Sequence, residues 1–576
     1  MTEKRVRPGH IASLCLAALA GALITSFAPA VQSKDEKTDV DIEGKVAHVL
    51  SRLTFGAKPG QIEEVEEEGL ENYLTRQLHP EKITLSEEIE KLGKVEARAK
   101  DPVYLFLNYG RPALMALAKG NQNGSPKEDE AVKKVIGEYQ RKLYEESALT
   151  RIKRATESPQ ELKEVMTDFW FNHFNISQEK GLDHVWIGSY EERAIRPFVL
   201  SKFRDMLGAT AHHSGMLFYL DNWQNTKDPG SSAPANELEG KKRGRFSGIN
   251  ENYARELMEL HTLGVDGGYT QKDVQELARV LTGLGLPPGA GGGGNLKNSA
   301  DITAMGMAGQ AMLSKTGRDR LAEIGGAAQP ERTRRRLVRE YGPPPQIKGN
   351  RELGYYFDKN RHDFGDKVLL GQVIKGEGEA EIEKVLDLLA RHPATARHIS
   401  YKLAQYFVAD SPPKSLVEKM SKRFLDSDGD IAATLDTLFH SSEFYEKKYR
   451  GAKFKSPYRY LLSSLRATNS KVEDPKLILG FLKQTGMPLY QCLTPDGYKN
   501  TKEAWLNPDN LLNRLNYATA LGTGRCPGVK IGHTDPAMIA DACTQDLSSR
   551  TIQAVKEAPQ NLKAPLVLGS PEFMVY

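Results

Sequence analysis

The side chains best suited to chemistry are His173, His261, His362, Asp363 and Glu256. In the segment 159–174, Leu162, Val165, Met166 and Phe169 recur at helical spacing, and His173 falls on the same face one turn later. In the segment 250–263, Tyr253, Ala254, Leu257 and Leu260 form an apolar stripe with His261 in its middle. Asn252 and Glu256 flank that stripe, and Glu251, Arg255 and Glu259 lie opposite at i, i+4 spacing, where they can pair. Each segment therefore aims one histidine inward. A buried imidazole must find a partner, because an unsatisfied buried polar group costs about 1–3 kcal/mol. The partner is either a backbone carbonyl or carboxylate, or a shared internal site. For a shared site His362-Asp363 is the best further contributor, since a His-Asp step suits a metal or a proton relay. His173, His261, His362 and Asp363 would then hold a divalent metal, with Glu256 as general base. His48 and His212-His213 are weaker additions. None of these has the spacing of H-E-x-x-H, so only the fold can bring them together.

Other motifs carry less. Asp426-Ser427-Asp428-Gly429-Asp430 resembles part of a calcium loop but lacks its full ligand spacing and closing Glu. Asp430 reads better as a helix cap, as does Thr270 after the turn at Asp266-Gly267-Gly268. The glycine run 291–294 has no Lys-Ser/Thr after it, which argues against phosphate cradling. No G-x-S-x-G elbow is present, which disfavours an α/β-hydrolase.

The elements that must position these residues are helical. Helical periodicity is read at 128–155, 159–174, 250–263, 271–282, 379–391, 394–408, 414–425, 431–440, 456–467 and 508–521. Ser158 is expected to cap the second of these, with Pro159 at its first position. Period-2 runs are few and short. The expected fold is all-α: a multi-helix globular protein with long loops and a disordered Gly/Arg-rich insertion. Residues 225–249 read as a mobile loop and 486–507 as an ordered one. The insertion, 285–350, carries Arg332, Arg334, Arg335, Arg336 and Arg339. That cluster is either a solvated surface or a site for an anionic partner. The organisation expected is a signal peptide at 1–30, a disordered linker at 31–44, a helical region at 45–284, the insertion, and a second helical region at 351–576 packed on the first.

Lys4, Arg5 and Arg7, the uncharged stretch Ile11 to Phe27, and Ala28-Pro29-Ala30 follow the pattern of a cleavable secretory signal. A permanent anchor is the rival reading, although the stretch is at the short end, about 17 residues being the lower limit for a span. Leu14 before Cys15 is too bulky for a typical lipoprotein cleavage box. The expected location is periplasmic or extracellular, with no transmembrane anchor after cleavage. A net charge of +4 over 576 residues gives no argument for nucleic acid. Export permits a disulfide among Cys492, Cys526 and Cys543. The shorter loop, Cys526 to Cys543, would gain about 3 kcal/mol from one in the chain-entropy model.

Taken together, several segments resemble the exported bacterial family known as domain of unknown function 1800. They are His48-Val49-Leu50-Ser51-Arg52-Leu53-Thr54-Phe55-Gly56, Trp170-Phe171-Asn172-His173-Phe174, Tyr219-Leu220-Asp221-Asn222 and the run Asn250 to Gly264. Tyr269-Thr270, Asp273-Val274, His362-Asp363, His392 to Ala396 and Ser570-Pro571-Glu572-Phe573 continue the likeness. The resemblance implies an exported helical protein, and a second exported protein as a partner. It departs after Thr282-Gly283, where the family usually has tryptophan and this chain has Leu284. Two functions are open: a non-catalytic envelope assembly or binding protein, and a metal-assisted hydrolase acting on an envelope or extracellular polymer.

Overall fold

A computed structural model describes residues 42–110, 126–228, 248–287 and 349–576. The signal, most of the linker and the arginine cluster lie outside these residues. So do the middle of the 225–249 loop and all of the insertion between 288 and 348.

The fold is all-α. Helix α1 (Ile42–Leu53) opens the described chain, so the expected linker ends three residues earlier than its sequence suggests. Then come α2 (Pro126–Glu157), α3 (Glu161–His173), α4 (Asn252–Glu259) and α5 (Gln271–Val280). The second half supplies α6 (Glu379–Ala390), α7 (Pro393–Phe407), α8 (Lys414–Asp426) and α9 (Ile431–Phe439). It ends with α10 (Pro457–Ala467), α11 (Pro508–Gly522) and α12 (Gln560–Leu568). Shorter helical turns lie between them. The strands come in antiparallel pairs of two or three residues: β1 (Leu284–Gly285) with β2 (Tyr356–Phe357), β3 (Lys367–Leu369) with β4 (Gln372–Ile374), and β5 (Lys471–Val472) with β6 (Val529–Lys530).

Local chemistry explains where the helices begin. Asp430 accepts from the Ala433 N–H at 2.8 Å and caps α9. Thr270 and Asp273 form a reciprocal capping box on α5. Around Ser158 the expectation fails by a few residues. Its hydroxyl accepts from the Gln160 N–H at 3.2 Å, and the helix starts only at Glu161. Pro159 thus sits in the turn before the helix rather than at its first position.

The elements share one apolar core, which runs through the described chain from Val46 to Met574. Polar ties cross it. Arg459 on α10 donates to the carbonyls of Ser51 and Thr54 at 2.6 and 2.5 Å. Glu161, at the start of α3, accepts from Gln61 at 3.0 Å and from the Tyr73 hydroxyl at 2.8 Å, and it pairs with Arg466 of α10. The two ends of the insertion meet at β1 and β2, with Leu284 opposite Phe357. Leu284, where the family usually has tryptophan, is fully buried there.

Candidate functional site

His173 is the last residue of α3, and the buried stripe of Leu162, Val165, Met166 and Phe169 carries it into the core. His261 reaches the same place by another route. Helix α4 stops at Glu259, earlier than its sequence period suggests, and His261 sits in the turn beyond it, its N–H donating to the Glu256 carbonyl at 3.0 Å. The Thr262 hydroxyl donates to the Leu257 carbonyl at 2.6 Å, and Gly264 closes the turn at φ +85°. A side chain at Gly264 would come within 2.9 Å of the His398 ring, so glycine is needed both for conformation and for space.

The result is a cluster of imidazoles. The ring of His173 lies 6.1 Å from that of His261 and 6.2 Å from that of His398. His173 Nε2–H donates to the His261 carbonyl at 3.1 Å, and His398 Nε2–H donates to the Leu260 carbonyl at 3.3 Å. These bonds leave His173 Nδ1 buried with no partner, and His261 Nε2 is in the same condition. Burial, and then the nearby Lys402 ammonium, push all three rings down in pKa: His173 well below the usual histidine range, His261 to about 3 and His398 to about 4. The cluster is therefore neutral imidazole at neutral pH.

Above it sits a charged rim. Lys402 on α7 is lowered to about 8 by burial, with Asp496 acting against that shift. Glu256 is raised by burial and by Glu259. Asp496 is lowered: burial opposes this, but hydrogen bonds from Lys499 and Thr494 prevail. Asp496 belongs to the loop 486–507, which is ordered as its composition suggests. Asn172 holds that loop with both ends of its amide, accepting from the Tyr498 N–H at 2.7 Å and donating to the Tyr498 carbonyl at 2.9 Å. Asn175 donates to the carbonyls of Cys492 and Thr494 at 3.1 and 2.9 Å. Gly497 passes so near Asn172 that a Cβ there would lie 2.2 Å from its carbonyl oxygen.

His362 and Asp363 take part in a different arrangement. Both nitrogens of the His362 ring face oxygens, Nδ1 the Thr282 carbonyl and Nε2 the Glu381 carboxylate, each at 2.7 Å. Lys367 donates to the other Glu381 oxygen at 2.5 Å. Asp363 accepts from Arg279 Nε at 2.9 Å and from the Gly365 N–H at 2.8 Å. Its pKa is lowered, because these bonds and the Arg279 charge outweigh burial. The proposed ligand set is thus divided: His173 and His261 meet, while His362 and Asp363 are engaged by Thr282, Glu381 and Arg279. Among the described residues no three His, Cys, Asp or Glu side chains are placed to hold a metal ion. Among the described residues this divided set does not fit a metal centre.

The weaker histidines are also placed. His48 lies against Phe444, ring to ring at 4.6 Å. His213 caps the short helix Ser214–Tyr219 by accepting from the Gly215 N–H at 3.1 Å. In the calcium-like stretch Asp428 bonds Arg391 at 2.8 Å and Asp430 caps α9, so these carboxylates face different partners. The disulfide expectation is corrected. Cys492, Cys526 and Cys543 are all free thiols. Their surroundings differ: Cys492 stands beside Thr494, Cys526 joins the apolar core, and Cys543 feels the Lys455 charge. Sequence reasoning missed His398, Lys402 and Asp496. His398 and Lys402 share a turn of α7 at i, i+4, but nothing in that spacing says which helix faces them.

No curated protein and no solved structure matches the chain. A family described as "Protein of unknown function (DUF1800)" matches residues 48–575. Since that span is nearly the whole sequence, the chain belongs to the DUF1800 family.

Proposed function

We propose that this protein is an exported, non-catalytic binding or assembly component of the cell envelope. The observation that carries the reading is how the chemically able side chains are used. His362, Asp363, Glu381 and Lys367 bond one another and their neighbours, and His173 closes on the His261 carbonyl. The network of His362, Glu381 and Lys367 is satisfied, and such networks fix a fold rather than attack a substrate. The rim around Lys402 and Asp496 is where a partner would bind. Tyr401 precedes Lys402 in the chain and Val265 follows Gly264; they are 42% and 69% exposed, and Leu493 on the loop that carries Asp496 is 71% exposed. Apolar side chains among charges of both signs suit a protein partner. The second exported protein implied by the family resemblance is the first candidate.

The test is co-purification of the tagged full chain from native envelopes, beside Tyr401→Glu and Leu493→Glu. A partner retained by the native chain and lost from both variants supports the reading. Recovery of free monomer alone under several mild conditions overturns it. A metal-assisted hydrolase rests on two unpartnered ring nitrogens and on Glu256 alone. Elemental analysis showing a stoichiometric metal that is lost in His173→Ala would favour it.

A further inference from the structure

Three hollows open between the residues after α1 and the end of α2, the first closed by the start of α3 with Glu192, Arg196 and Pro197, the other two by the segments after α10. They enclose about 260, 230 and 350 Å³. Ile89 lines the first and second, Ser158 the first and third, and Lys58 and Glu157 the second and third, so the hollows form one groove. None of the lining residues belongs to the imidazole cluster or its rim. The largest hollow is of a size that holds small ligands, roughly 300–1,000 Å³.

Two opposite charges, Lys58 and Glu157, line this groove with no hydrogen bond or ion pair between them. The Lys58 ammonium has no hydrogen bond or ion pair among the described residues, and burial lowers its pKa to about 8. Glu161 lies close by but is already engaged by Arg466, Gln61 and Tyr73. Glu157 Oε1 is buried and has no partner, while its Oε2 reaches only to 4.0 Å from Lys471. A charge withdrawn from water needs a close partner; the Lys58 ammonium makes no hydrogen bond among the described residues, the carboxylates of Glu161, Glu157 and Glu64 acting on it through charge alone, and Glu157 has only Lys471 at 4.0 Å. The largest hollow is also lined by Pro59, Met538, Asn469 and His533 and by the charged Glu64, Arg76 and Glu161, of which Arg76 pairs with Glu68 and Glu161 with Arg466. Asn469 holds φ +46°, a left-handed conformation that turns the chain at this wall. No Phe, Tyr or Trp lines the groove, so no aromatic face is offered to a sugar ring.

We infer that the groove binds a small zwitterion, an amino acid or short peptide, with Lys58 taking the carboxylate and Glu157 the ammonium. The inference is independent of the envelope role argued above. It is tested by calorimetric titration of the full chain with dialanine, N-acetyl-dialanine and dialanine amide. Saturable one-site binding of dialanine is expected, weakened about tenfold or more by either blocking group. Lys58→Gln and Glu157→Gln should weaken it equally, Lys58→Arg should retain it, and melting temperatures should stay close to that of the native chain. If a variant fails to fold, the blocked ligands on the native chain still decide. Absence of binding up to about 10 mM, equal affinity for the blocked peptides, or preference for oligosaccharides over dialanine would each overturn the assignment.

Discussion

Asp183 shows what a single unpaired charge does in this interior. It is fully buried and neither carboxylate oxygen has a partner. Burial holds its pKa well above the usual carboxylate range. Its folded pKa is raised, so its contribution to stability is complete below the unfolded value of about 3.9 and is lost as pH rises. Asp183→Asn should therefore raise the melting temperature at pH 8, by about 1–3 kcal/mol of stability, and change little at pH 4. Thermal unfolding at the two pH values checks this. The imidazoles behave in the opposite sense. His261 is held down at about 3, so its contribution is present above about 6.5 and is lost as pH falls. Between pH 7 and pH 5 that amounts to about 2 kcal/mol. His261→Gln should flatten the acid limb of the stability profile by about that amount, as denaturant titrations would show.

At the scale of elements, caps and crossing points decide most. Removing the Asp430 cap with Asp430→Ala should cost about 1 kcal/mol, read from the denaturant midpoint. Gly497→Ala should cost more. It forces a Cβ into the Asn172 carbonyl at φ +71°, and the loop 486–507 must move away. A loss of about 2 kcal/mol or more is expected, with new proteolytic cuts within that loop. Helix positions were largely legible in the sequence: the periods at 379–391, 414–425 and 508–521 became α6, α8 and α11 with shifts of a residue or two. Helix α4 was legible in its buried face but not in its end. Periodicity runs on through Leu260, whereas Gly264 and its packing against His398 turn the chain sooner.

Over the whole molecule, buried ion pairs tie distant parts of the chain. Glu161 joins α3 to α10 through Arg466 and to the early helices through Gln61 and Tyr73. Glu161→Ala leaves a buried guanidinium uncompensated and should cost about 3–5 kcal/mol, seen as a lower midpoint in urea. A second network holds Glu191 between Arg98 and Arg151 at 2.7 and 3.1 Å. Those arginines keep Glu191 at about 2 in spite of its burial.

The sequence by itself determined the helical class, most helix positions, the family, and the inward turn of His173 and His261. These follow from local periodicity and capping, which neighbouring residues set among themselves. Tertiary structure alone decided which polar residues meet. It paired His173 with His261 and His398, and it brought Lys402 and Asp496 above them. His362 and Asp363 instead went to Glu381 and Arg279, and Lys58 and Glu157 were left facing one groove. The reason is physical: spacing along the chain fixes the face a side chain occupies, while its partner comes from whichever helix packs against that face.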